Sequence, residues 1–247
     1  MIEEHSPEDF WATIHCTSTL ITKINDKRVS ENKDLREGIV VNDMELSVSN
    51  SKKENIELFL NLISNKSLKP LAQTLITDMY KYDFDASSSV DSDIEDFDEN
   101  KNLKKLGSIS LLQHSFGVLN MMSKVIDRKF GLYSDLFFIA ALVHDFGKSN
   151  SLKSKFNIDM SIAHHEASSE YLKRVSYRDK KITQYYRGLL EMVCEVFEAH
   201  HTKNLENLFY ATKKEEDSKE LQILLMKYLK LADSMQRDIE LEMLRDL

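Results

Sequence analysis

The sequence predicts an all-α protein, and three observations carry that expectation. Six glycines and two prolines in 247 residues are too few for the turns of a β-sandwich or barrel. Apolar residues recur at helical spacing along most of the chain. A content of 42% hydrophobic and 30% charged residues suits a globular chain that buries one sizeable core or two modest ones.

Taken in order, Ser6-Pro7-Glu8-Asp9 is a helix start with proline at the first helical position, followed by an apolar stripe of Phe10, Trp11, Ile14, Leu20, Ile21 and Ile24. Residues 39–48 alternate loosely around Asn42-Asp43, a short β-hairpin candidate whose turn lacks the favoured glycine. Helices are expected near 54–65 and 70–82, and then consecutively at about 108–128, 135–147, 161–176, 182–201 and 219–244. The apolar faces of these last five include Leu112, Val118, Leu119, Met122 and Ile126 in the first and Leu221, Leu224, Leu225, Tyr228, Leu229 and Ala232 in the last.

Charge divides the chain. The formal net charge of -8 comes from one segment, because eight acids and no lysine or arginine lie between Asp83 and Asn100, while the remainder balances. Interspersed serines make this segment a solvated linker or mobile loop. It is not an EF-hand, since the glycine at the sixth loop position and the glutamate at the twelfth are missing. The expected organisation is therefore an N-terminal, mostly helical region over 1–82 of unassigned role, an acidic linker over 83–104 and a helical domain over 105–247. No apolar run reaches the ~18 residues of a membrane span, and the N-terminus carries acid where a secretory signal carries base, so a cytoplasmic protein is expected. Cys16 and Cys194 cannot build a disulfide framework or a thiolate site unaided. Any metal must be held by nitrogen and oxygen.

His5 and His15 stand alone, but six of the eight histidines fall between residues 114 and 201. His144 and Asp145 directly follow the apolar run Leu136 to Val143. A buried helix that ends on an imidazole and a carboxylate is costly unless something pairs with them. Imidazole nitrogens and carboxylate oxygens are what first-row divalent ions prefer.

At this point the sequence resembles the HD superfamily of metal-dependent phosphohydrolases. The resemblance rests on His114 within 110–118, His144-Asp145 in His-Asp-Phe-Gly-Lys, His164-His165 in Ala-His-His-Glu-Ala-Ser-Ser, His200-His201 in Glu-Ala-His-His-Thr, and Asp233 in Leu-Ala-Asp-Ser-Met-Gln-Arg. It covers roughly half the chain and implies an HD-type helical bundle. It implies that His114, His144, Asp145 and Asp233 are metal ligands, with Asp145 bridging when two ions bind, and that His164, His200 and His201 match the additional ligands of the two-metal branches. His164 is preferred over His165 because the family's pair of small residues, here Ser168-Ser169, lies four and five positions beyond it; His165 is then expected just outside the ligand set. Lys148 matches the lysine that holds a substrate phosphate. Arg237, one turn beyond Asp233, is a further substrate-binding candidate or simply a partner of Asp233.

The function implied is hydrolysis of a nucleotide or other small phosphate ester through a metal-activated hydroxide, with Asp145 and Lys148 as the catalytic pair. Seven ligand candidates exceed what one octahedral ion uses, so two divalent ions per chain are expected, with Mn, Fe, Co, Ni, Zn and Mg all compatible. Two alternatives stay open. One is an HD-type nuclease or conjugative-transfer protein acting on single-stranded DNA; the other is an inactive HD module that binds a protein partner through its acidic segment or N-terminal region. The Gly-Tyr-Pro signature of the cyclic dinucleotide phosphodiesterases is absent after His201, and the acidic charge disfavours a nucleic-acid substrate.

Overall fold

The computed structural model describes residues 45–85, 87–88, 106–126, 132–199 and 216–244. The helix expected from Ser6, most of the hairpin candidate, most of the acidic segment and the His200-His201 pair lie outside the described residues. Within them the chain is helical: α1 (Lys52–Leu62), α2 (Lys69–Met79), α3 (Leu111–Val125), α4 (Leu132–Val143), a 3-10 turn (Phe146–Lys148), α5 (Asn150–Lys155), α6 (His164–Arg178), α7 (Gln184–Ala199) and α8 (Glu216–Met243). No strand occurs among the described residues; the nearest approach is one antiparallel bridge, Ser87 with Ser110.

Serines set several of the helix starts, each side-chain oxygen accepting an amide that the first turn leaves without a partner. Ser51 caps α1 through the Glu54 amide, Ser110 caps α3 through that of Gln113, and Ser149 caps α5 through that of Leu152. The expected helix over 135–147 stops at Val143, and α5 has no counterpart among the expected helices. Both differences have one cause. The chain turns inward after Val143 to place His144 and Asp145, then restarts on the Ser149 cap.

α4 forms the centre of the bundle. Leu136 to Val143 are all buried, and α3, α7 and α8 pack around them. Residues 45–85 add to the same core, with Phe59, Leu68, Leu71, Leu75 and Phe84 joined to the cluster that holds α4. Polar anchors fix that attachment. The Asn120 side chain exchanges two hydrogen bonds with the backbone of Leu46, and the Tyr171 hydroxyl donates to Asp78. Fully buried Asp135 on α4 accepts the backbone amides of Ser64 at 2.9 Å and Asn65 at 2.7 Å. Burial pushes the Asp135 carboxyl upward against the pull of those amides.

The described residues at the edge of the expected solvated linker, 82–85 and 87–88, pack against the bundle as a strap. Phe84 meets Phe146 edge-on with ring centroids 4.7 Å apart, the Ser149 hydroxyl donates to the Tyr82 carbonyl, and the Phe84 carbonyl accepts the Leu112 amide at 2.8 Å.

Replacing Asp135 by alanine leaves the Ser64 and Asn65 amides without their buried acceptor and is expected to cost about 2–4 kcal/mol. Urea unfolding checks this; a loss below about 0.5 kcal/mol would show that the Ser64-Asn65 turn does not depend on α4.

Candidate metal centre

From Leu136 to Val143 α4 is apolar and buried on every side, so the first polar residues after it emerge inside the protein. His144 is 3% and Asp145 4% exposed. Three other elements converge on them. α3 brings fully buried His114, α8 brings Asp233, and α6 begins at His164.

Two close approaches set these helices. The Gln236 side-chain amide lies over Gly117, where a Cβ would come within 2.0 Å of it, one turn beyond His114 and Asp233. A Cβ on Gly147 would lie 1.9 Å from the His164 carbonyl oxygen and 2.7 Å from Ala167 Cβ. The Gly147 amide donates to Ser168 Oγ at 2.8 Å. Gly147 thus seats the first turn of α6 against the His-Asp turn, and the small Ser168-Ser169 pair is the other half of the seam.

The outcome is a cluster around Asp145. His114 Nε2 lies 3.5 Å and His144 Nε2 3.6 Å from Asp145 Oδ2, with Lys148 Nζ 2.9 Å from the same oxygen. His164 Nε2 approaches the other oxygen, Oδ1, at 3.7 Å. Asp233 Oδ1 stands 3.2 Å from His114 Nε2. One ligand atom each from His114, His144 and Asp233 falls within 4.8 Å of the others.

Both imidazoles are oriented from behind. His144 Nδ1 lies 2.9 Å from the Ala141 carbonyl, and His114 Nδ1 lies 2.9 Å from Oε1 of fully buried Glu240. Each partner only accepts, so each Nδ1 carries the hydrogen and each Nε2 is turned to the carboxylates. His114 Nε2 is buried and, close as the two carboxylates are, makes no hydrogen bond among the described residues. Inward nitrogen lone pairs opposite carboxylate oxygens repel unless a cation lies between them. A proton supplies that charge in one form of the site, and a divalent ion fits the same nitrogen and oxygen donors.

The electrostatics agree. Burial alone would depress the His114 pKa, but the carboxylates of Asp145, Asp233 and Glu240 outweigh it and carry it up to about 10, against a smaller opposing effect of Arg237. Burial likewise works to raise Asp145, and Lys148, His144 and His114 more than reverse it, holding the carboxyl well below its ordinary range. Glu240 is depressed too: burial raises it, and His114, Arg237 and Gln236 together prevail.

Of the residues singled out in the sequence, His114, His144, Asp145, His164 and Asp233 come together and Lys148 touches the cluster. His165 stacks edge-on against His164, with ring centroids 5.5 Å apart. Arg237 bonds Glu240 Oε2 at 2.9 Å and Ser88 Oγ at 3.0 Å. The sequence reading missed Glu240 and Ser88. Glu240 was within reach, since Asp233, Gln236, Arg237 and Glu240 share one face of α8 at i, i+3, i+4 and i+7; nothing in the serine-rich context distinguishes Ser88.

An all-helical bundle closed around buried histidines and carboxylates, with a lysine against the central aspartate, defines the class as a helical protein with a divalent-metal type of site. The HD domain family model matches residues 111–238, which is just over half of the chain, and the chain belongs to that family, one of metal-dependent phosphohydrolases. No curated protein and no solved structure gives a significant match.

The His114 shift has a testable consequence. A folded-state pKa raised from 6.5 to about 10 contributes stability that is fully present below pH 6.5 and lost as pH rises through 10. In chelator, the Tm advantage of the wild type over His114→Gln is expected to shrink steadily from pH 6.5 to pH 9.5. A difference independent of pH would show that His114 is neutral in the metal-free protein.

Proposed function

We propose that the chain hydrolyses a nucleotide or other small phosphate ester, using two divalent ions held by His114, His144, Asp145, His164 and Asp233 together with His200 and His201. The observation that carries this reading is the convergence on Asp145. Its Oδ2 faces His114 and His144 while its Oδ1 faces His164, an arrangement suited to one carboxylate serving two ions. The approach of His164 also supports it over His165 as the ligand. When bound, such ions lower the pKa of the attacking water and neutralise charge on the phosphoryl oxygens.

The chain's own residues do the rest. Glu240 and the Ala141 carbonyl hold the two imidazoles in the tautomer that presents Nε2 inward. Lys148, whose side chain is 5% exposed and which is paired with Asp145, places a fixed positive charge where phosphoryl oxygens gain negative charge, and its burial strengthens that interaction. Arg237 reaches the same point from α8. The acidic net charge of -8 favours a small substrate over a polyanion, which would need a compensating basic surface. Among the described residues no helix is long and apolar enough to cross a membrane.

The test is a panel of mononucleotides, bis(p-nitrophenyl) phosphate, cyclic dinucleotides and single-stranded DNA, assayed with Mn²⁺ at several salt concentrations. Turnover of a small ester with a shallow salt dependence is expected. Asp145→Ala should abolish it, Lys148→Ala should lower it by about 10²–10³-fold, and His164→Ala should cost far more than His165→Ala. Turnover of DNA alone, with a log-log salt slope of about 0.7 per phosphate contact or more, would establish the nuclease reading instead. Tight metal binding with no turnover would leave a binding module.

A further inference from the structure

Lys148 and Arg237 come from different parts of the bundle and meet at one residue. Lys148 Nζ donates to the Ser88 carbonyl at 2.8 Å. Arg237 donates through Nη1 to Ser88 Oγ at 3.0 Å and through Nη2 to the Ser88 carbonyl at 3.4 Å. Ser88 is fully buried. Its oxygens therefore sit where the two cations converge, next to Asp145 through Lys148 and next to His114 through Arg237 and Glu240.

We propose that Ser88 is an internal stand-in for a substrate oxyanion: the chain fills its own phosphate seat with the Ser88 carbonyl and hydroxyl, and a phosphoryl group gains Lys148 and Arg237 by displacing Ser87-Ser88. This rests on the reading of Lys148 and Arg237 as phosphate-holding residues and adds the regulation of that site. The chemistry favours exchange. A carbonyl and a hydroxyl are neutral acceptors, and a phosphoryl group offers charged oxygens in greater number to the same ammonium and guanidinium donors, which makes stronger bonds. The attachment also differs in kind along the strap, aromatic at Tyr82 and Phe84 and purely polar at Ser88. Tyr82 and Phe84 are pinned by a hydrogen bond each and by aromatic packing against Phe156 and Phe146. Beyond them, the Ser88 amide is held to the main chain by its bond to the Ile109 carbonyl at 2.8 Å, beside the Ser87 bridge to Ser110. Release of the last two residues thus leaves the aromatic anchor in place. An intramolecular occupant scales the apparent affinity for phosphate down to the fraction of time the seat is empty.

The alternative is that Ser88 merely buttresses the two cations, and the two ideas predict opposite signs. Ser88→Pro removes both the amide bonded to Ile109 and the hydroxyl bonded to Arg237. In the full-length, metal-loaded protein freed of excess metal, calorimetric titration with inorganic phosphate is expected to show Ser88→Pro binding about fivefold more tightly than wild type, the worth of about one net hydrogen bond. Hydrogen exchange on the unmutated protein gives an independent reading. Saturating phosphate should accelerate exchange of the Ser88 amide at least several-fold, while the core amides of α4 keep their protection. Weaker phosphate binding by Ser88→Pro, or a Ser88 amide equally protected with and without bound phosphate, overturns the proposal. A wild type that binds phosphate with Lys148→Ala unaffected would instead remove the phosphate-seat reading on which it rests.

Discussion

The structure depends on the burial of one carboxylate. Asp145 follows the most apolar helix of the bundle and is 4% exposed, and an isolated charge in that position would cost far more than the few kcal/mol by which a domain is stable. It is tolerated because positive or polarisable groups surround it. Lys148 pairs with one oxygen, His114 and His144 stand opposite the same oxygen, and His164 faces the other. Much of the surrounding architecture serves to hold those groups in place.

That service is visible in the contacts that place α3, α6 and α8. The missing side chain of Gly147 lets the backbone of His164 come into contact with the His-Asp turn, and Ser168 closes the seam by accepting the Gly147 amide. The Gln236 side chain occupies the space over Gly117, one turn beyond the 3.2 Å approach of His114 to Asp233. Behind them, Glu240 joins three groups through its two oxygens, accepting from His114 and Gln236 on one and from Arg237 on the other. A single buried carboxylate therefore links the orientation of an inward imidazole to the arginine that reaches Ser88. Outer partners of this kind fix ligand tautomer and raise ligand basicity, and their loss typically weakens metal binding by about 10–100-fold.

The helical class and the inner cluster were legible in the sequence because they rest on strong local signals. An apolar run that ends in His-Asp-Phe-Gly-Lys announces a buried charge, and the ordered histidines and the terminal Ala-Asp supply its partners. The preference for His164 over His165 came from the spacing of Ser168-Ser169, and in the structure Ser168 lies in the seam where Gly147 meets α6. What escaped was tertiary. Nothing local marks Asp135 as an anchor; its partners, the Ser64 and Asn65 amides, lie some seventy residues away in sequence. From Asp83 the strap reads as the start of an acidic linker because its composition continues into one, yet Phe84 is 2% exposed. Ser88 gains its meaning only when α8 and the 3-10 turn place two cations over its carbonyl.

The central claim is that this buried cluster is a divalent-ion site with Asp145 at its middle. The most direct measurement is anomalous diffraction at the manganese edge from crystals grown with Mn²⁺. The account predicts a strong peak bonded to His114 Nε2, His144 Nε2, Asp145 and Asp233, with a second peak on the His164 side of Asp145. Well-ordered crystals with no peak in the cluster, or with Lys148 alone compensating Asp145 while manganese binds elsewhere, would contradict it.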